Sequence, residues 1–351
     1  MAKNRSPKAT TARKLASELG ISVATVSRAL NSHPDVSPET RSRVVQMADN
    51  LGYMPRVGRR RTNVIGLVYP TDPVRADYGN FESAMLAGIL DGVNEQRYDV
   101  TIINVQRDKD PADSYSQFFR AKGVGGVIVR RIHPTSRMAE EIADEGFPCM
   151  LIADRSDHPK LNYIYTDSHE DSKRAVEHLI HLGHRRIALG VHNVIDSDHR
   201  DRRNGYVKAL EEAGIELDPA LLIQSPASMA GGASSIDRLL SLPNPPTAVY
   251  FTDPQTTVGA MHRCLVRGIN VPGELSIVGF DDGDARAQTF PRYTAVCQDA
   301  RQMGLEASRW LTRALAAGGE IPSYREHRYT TWSVSESTAM PPARTPGAGA
   351  E

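Results

Sequence analysis

No apolar run in this chain of 351 residues approaches the roughly 18 that a membrane-spanning helix needs. Residues 1–14 are polar and basic, without the apolar segment of a secretory leader, so the expected location is the cytoplasm and no membrane partner is expected. Cysteine is scarce. Cys149, Cys264 and Cys297 lie far apart, which gives neither a disulfide framework nor metal-ligand spacing and suits a reducing compartment. There is no Gly-x-x-x-x-Gly-Lys loop to cradle phosphates. No Gly-x-Gly-x-x-Gly follows a strand-like run either: Gly123-Val124-Gly125-Gly126 precedes one and is wrongly spaced. No cofactor is therefore expected, and no nucleophile or acid–base pair stands out to make an enzyme. His178, His181 and His184 cluster, but at the end of a helical stretch, where histidine suits the helix dipole better than a metal.

Net charge is also missing, yet only in the sum. Residues 1–62 carry 12 Lys/Arg against 4 Asp/Glu, a balance of +8, and the remainder carries 30 against 38. A basic head on an acidic body points to a polyanion partner for the head alone. With 40% apolar and 24% charged residues the composition is that of a globular protein, and the length predicts two or three domains.

The head reads as three helices. Thr11 caps a first helix ended by Gly20. Ser22 caps a second, whose Val26 and Leu30 form a short apolar stripe while Ala24, Ser27 and Arg28 take the other face. Ser37, Pro38 and Gly52 bound a third helix, with Val44, Val45, Ala48 and Leu51 facing inward. Two helices joined by a glycine turn make a helix-turn-helix, and an arginine among small residues can fork onto guanine in a major groove. From Val64 onward, short apolar runs (64–69, 100–105, 126–129, 150–153, 187–191, 248–251, 275–280) alternate with helical stretches (81–96, 168–182, 202–213, 255–267). That alternation predicts a doubly wound parallel α/β body, which binds ligands at the carboxyl ends of its strands.

The string from Thr11 to Asn31, and above all Ser-x-x-Thr-Val-Ser-Arg-x-Leu-Asn at 22–31, closely resembles the signature of the lactose-repressor/galactose-repressor family of bacterial transcription regulators. The body resembles the family too. The segments Val-Ile-Gly-Leu-Val (64–68), Leu-Gly-His-Arg-x-Ile (182–187), Arg-x-x-Gly-Tyr-x-x-Ala-Leu (202–210), Ile-Val-Gly-Phe-Asp-Asp (277–282) and Val-Cys-Gln-Asp (296–299) follow in order. The resemblance spans about residues 10–338. It implies an all-α helix-turn-helix head at 10–54, a short linker at 55–63, and a periplasmic-binding-protein-like core at 64–338 made of two doubly wound parallel-sheet subdomains. The N-subdomain would comprise about 64–166 and 299–327, and the C-subdomain about 167–296 and 328–338. Residues 1–9 and 339–351 are expected to be disordered.

The same resemblance implies the function: a dimeric repressor whose grip on a near-palindromic operator responds to a small polar effector, a sugar or sugar derivative. Thr11, Ser22, Val23, Ala24, Thr25, Ser27, Arg28 and Asn31 would meet DNA. Phe81, Asp154, Arg202, Asp253 and Asp281 would meet the effector, with Asp253-Pro254 replacing a common Asn-Asp. Where an aromatic often stacks on the effector, this chain has Ser-Pro-Ala-Ser-Met at 225–229. The linker also departs. Family members commonly form a hinge helix there, with a leucine wedge, whereas this segment is about five residues shorter, lacks leucine and holds Gly58, which costs a helix about 1 kcal/mol. Arg56, Arg59, Arg60 and Arg61 are expected instead to act as a basic arm on the DNA. The rivals are a solute-binding receptor or a sugar-modifying enzyme on the same core.

Overall fold

A computed structural model describes residues 12–30, 33, 35–50, 63–69, 80–131, 135–193, 197–283, 285–317 and 323–343. The chain divides into two compact units, Met1–Thr62 and Asn63–Glu351.

In the first unit, α1 (Ala12–Leu19), α2 (Val23–Leu30) and α3 (Pro38–Asn50) enclose Leu15, Ala16, Val26, Ala29, Val36, Val44 and Ala48. Gly20 takes φ +66°, the left-handed turn that lets Ile21 N–H reach back to the Ala16 carbonyl at 3.1 Å. Ser22 Oγ accepts the Thr25 N–H at 3.0 Å, and Ser37 Oγ accepts that of Thr40 at 3.2 Å, so both serines cap as the sequence predicts. Val45, expected inward, is 42% exposed, because Val44 and Ala48, four apart, already face the core. Leu51 and Thr11 lie outside the described residues.

The second unit is built from two sheets. The first holds β1 (Val64–Val68), β2 (Asp99–Ile103), β3 (Gly126–Arg130), β4 (Cys149–Ile152), β5 (Asn162–Asp167) and β11 (Arg325–Tyr329), all parallel, in the order β11-β5-β4-β3-β1-β2. Its faces pack on α4 (Asn80–Glu95) and α12 (Ala300–Ala317) on one side. On the other lie α5 (Val105–Asp108), α6 (Tyr115–Ala121) and α7 (Met138–Asp144). The second sheet holds β6 (Ile187–His192), β7 (Leu222–Ser225), β8 (Ala248–Phe251), β9 (Ser276–Asp281), β10 (Thr294–Cys297) and β12 (Thr331–Ser333), ordered β12-β10-β9-β8-β6-β7 with only the β10–β12 pair antiparallel. Helices α8 (His169–His181) and α9 (Ser197–Glu212) cover one face, and α10 (Met229–Leu240) and α11 (Pro254–Val266) the other. This is the two-subdomain parallel α/β core that the sequence predicts.

The chain passes between the sheets after β5, after β10 and at Thr330. The last passage was expected near 327, but β11 stays paired with β5 as far as Tyr329. The disordered tail cannot begin at 339 either. The Ala339 carbonyl accepts from His184 Nε2 at 2.9 Å and its N–H donates to Ser276 Oγ at 3.0 Å, which ties the segment to the second subdomain.

Candidate functional site

On α2 the division between inside and outside is sharp. Val26 and Ala29 are buried, whereas Ser22, Val23, Ala24, Ser27 and Arg28 are exposed and Thr25 is half-buried with its hydroxyl against Ser22 Oγ at 2.8 Å. An outward face of small side chains flanking one forked cation is low enough to enter a major groove and long enough to reach base edges. Thr11, Asn31, Arg56, Arg59, Arg60 and Arg61 lie outside the described residues.

In the core, chemistry gathers at the carboxyl ends of the strands. Arg202, in α9, is 4% exposed. Its guanidinium carbon lies 3.5 Å from the Phe280 ring centroid, Nη1 donates to the Thr252 carbonyl at 2.7 Å, and Nη2 lies 3.9 Å from Asp198. Its Nε is buried with no hydrogen-bond partner among the described residues. Ser225 Oγ at the end of β7, Thr252 Oγ1 just past β8 and Gln298 Oε1 just past β10 are likewise buried and unpartnered.

The five predicted effector residues fare differently. Arg202 stands at the centre. Asp253 caps α11, with Oδ1 accepting the Thr256 N–H at 2.9 Å. Asp281 turns its carboxylate onto Arg286 Nε at 3.0 Å and the Ala285 N–H at 3.1 Å. Burial nonetheless raises its pKa against those partners. Asp154 accepts from Ser197 Oγ at 2.5 Å and from the Arg155 N–H at 2.8 Å, and so ties the first subdomain to α9. It follows Ala153, whose φ of +55° is strained for a side-chain-bearing residue. Phe81 is half-buried at the start of α4, with the Arg130 guanidinium 5.4 Å from its ring centroid.

Sequence reasoning missed Asp282. It is buried, receives the Gln298 side-chain amide, and senses Arg202, Asp253 and, from the first subdomain, Glu82. Burial pushes its carboxyl up to about 7; Arg202 and Gln298 pull it down, and the Asp253 and Glu82 carboxylates push it further up. A carboxyl raised in the folded state stabilises the fold only below its unfolded value near 4, and that stability is lost as pH rises through about 7. Asp282→Asn should therefore be more stable than the parent at pH 8, by on the order of 1–3 kcal/mol, with the gap closing toward pH 4. Urea melts across that range read the difference, and a gap independent of pH would remove Asp282 from this role.

The histidines serve the fold. His184 bonds Thr247 Oγ1 at 2.8 Å as well as Ala339, and His178 bonds Thr338 Oγ1 at 2.9 Å. Among the described residues no group of His, Cys, Asp or Glu could hold a metal ion.

Residues 13–56 match the family described as "Bacterial regulatory proteins, lacI family", and residues 176–338 match "Periplasmic binding protein-like domain". The HTH-type transcriptional regulator DegA of Bacillus subtilis is 30% identical over 314 residues, covering 87% of this chain and 91% of that protein. Catabolite control protein A of Priestia megaterium is 28% identical over 307 residues, covering 85% and 90%. Among solved structures, a complex of the transcriptional regulator CelR with cellobiose superposes with a TM-score of 0.67 at 25% identity, covering 93% of this chain and 99% of that one.

Proposed function

The chain belongs to the LacI family of bacterial regulatory proteins, a transcription regulator with a DNA-binding helix-turn-helix, and from that premise we propose that it is a cytoplasmic homodimeric repressor controlled by a sugar or sugar derivative. The observation that carries the effector class is the group of buried polar atoms without a partner among the described residues near Arg202: its own Nε, Thr252 Oγ1, and Gln298 Oε1, whose amide donates to Asp282. Each costs about 1–3 kcal/mol while unsatisfied. They include a donor, an acceptor and a hydroxyl, and a ligand whose own hydroxyls both donate and accept satisfies all of them. Asp282 and Asp253 beside Arg202 suit vicinal hydroxyls and disfavour an anion. The cellobiose held by CelR is in keeping with this class.

Dimerisation is supported by apolar side chains that the core leaves exposed: Leu90 on α4, Ile102 on the edge strand β2, and Leu265 and Val266 at the end of α11. A two-fold dimer reads two inverted half-sites. Selection from a randomised DNA pool tests this reading: paired inverted half-sites should be enriched, and enrichment of single sites or of none speaks against it.

The linker is part of the proposal. Arg59, Arg60 and Arg61 run along phosphate or minor groove without a hydrophobic wedge, a reading supported by the missing leucine and by Gly58. Replacing the three by alanine should lower the slope of log K against log salt by roughly 3–5 for a dimer. Circular permutation of the selected site should show no sharp central bend. A sharp bend that survives the triple substitution would reveal a wedge.

A further inference from the structure

Asp154 and Ser197 are not the sole tie between the two subdomains. Arg155, in the loop after β4, forks onto Asp201 of α9, Nη1 to Oδ2 at 2.7 Å and Nη2 to Oδ1 at 2.9 Å. The same guanidinium lies 4.8 Å from the Tyr165 ring centroid, and Tyr165 sits on β5 just before the chain first passes to the second subdomain. Three elements thus meet at one cation: a loop and a strand of the first subdomain and a helix of the second. Asp201 is the residue immediately before Arg202.

We infer that Arg155 and Asp201 form a clamp that holds the cleft closed in the absence of any ligand and positions α9, and with it Arg202, against the first subdomain. A bidentate Arg–carboxylate pair is directional in a way that a lysine pair is not, and stacking on Tyr165 removes rotamer freedom from the arginine before the pair forms. Arg155 is 40% exposed and Asp201 11%, so solvent screens the pair. It is therefore strong enough to shift an equilibrium between open and closed forms and weak enough to release. Beside it lies a cavity of about 250 Å³, lined by Arg131, Asp154, Arg155, Ser156, Ser197 and Arg200, which leaves room for water to enter as the pair parts. Arg131, 3.4 Å from Asp154, holds that carboxylate in place on the first subdomain, ready to receive Ser197 again as the cleft recloses. The clamp does not rest on the identity of the effector, and its test needs none.

Spin labels at Asp113→Cys and Glu211→Cys, exposed positions one in each subdomain, report the distance across the cleft in the ligand-free, full-length chain. Arg155→Ala and Asp201→Asn should each raise the ratio of open to closed forms roughly fivefold. The reversed pair, Arg155→Asp with Asp201→Arg, should return it toward that of the parent. High salt should open the parent but leave Arg155→Ala unmoved. Circular dichroism melts establish that each variant is folded, and Arg155→Lys serves as a milder probe if Arg155→Ala is not. Single variants with the parent's distance distribution, or a reversed pair as open as the singles, overturn the clamp.

Discussion

Arg28→Ala should bind its selected operator more weakly by about 1–3 kcal/mol per half-site, and should lose discrimination at one base pair of each half while keeping its affinity for random DNA. The expectation rests on where α2 puts the residue. Val26 and Ala29 are buried and hold the helix, so Arg28 stands on the opposite, exposed face with Val23, Ala24 and Ser27 around it. Alanine at this position leaves the three-helix core intact, and the loss is therefore one of recognition. Competition binding against operators altered one base pair at a time reads it. Equal loss for operator and random DNA would make Arg28 a phosphate contact.

Arg202→Ala should weaken effector binding by roughly 2–5 kcal/mol and leave operator binding near that of the parent, because a cleft residue biases the switch through its contact with ligand. The magnitude follows from burial. The guanidinium is stacked on Phe280, donates to the Thr252 carbonyl, and is the charge that pulls the Asp282 carboxyl down. Without it the Asp282 carboxyl loses the cation that pulls it down, while Asp253 and Glu82 go on pushing it up. Arg202→Lys should not restore binding, since an ammonium cannot stack and fork at once. Calorimetric titration with the responding sugar decides the matter; unchanged affinity in Arg202→Ala would remove it from the site.

Much of the fold is legible in the sequence because it obeys simple periods. The capped α2, with Val26 and Leu30 four apart, reads directly. So do the central strands, which parallel packing buries on both faces and which therefore appear as unbroken apolar runs. The edges read poorly. Strand β11 is Arg-Glu-His-Arg-Tyr, largely exposed, and has no apolar face to announce it. The start of α9 was placed at Arg202, whereas the helix begins at Ser197. Its first turn, Ser-Asp-His-Arg, is polar all round yet has Ser197 and Asp198 buried, a pattern that makes sense only where a helix end faces a polar cleft.

The cleft shows the same division. Arg202 is singled out by its match to the family's Arg-x-x-Gly-Tyr segment, and the fold places it buried beside Asp282 and the Thr252 carbonyl. Which of two adjacent carboxylates turns toward it is not legible, since neighbouring residues at a strand end point opposite ways and only the fold shows that Arg286 engages Asp281. Ser225, Thr252 and Gln298 carry no signal of their own. Thr252 and Gln298 take their meaning from the fold, which brings the Thr252 carbonyl to the Arg202 guanidinium and the Gln298 amide to Asp282.

The affinity of the full-length chain for its selected operator, followed by fluorescence anisotropy as mono- and disaccharides are added one at a time, is the most direct test, with Arg202→Ala measured alongside. A polyol site built around Arg202 and coupled to the reading head requires at least one sugar that changes the parent's affinity by about 5–150-fold and leaves the variant's unmoved. A parent indifferent to every sugar, or a variant that responds as the parent does, would contradict it.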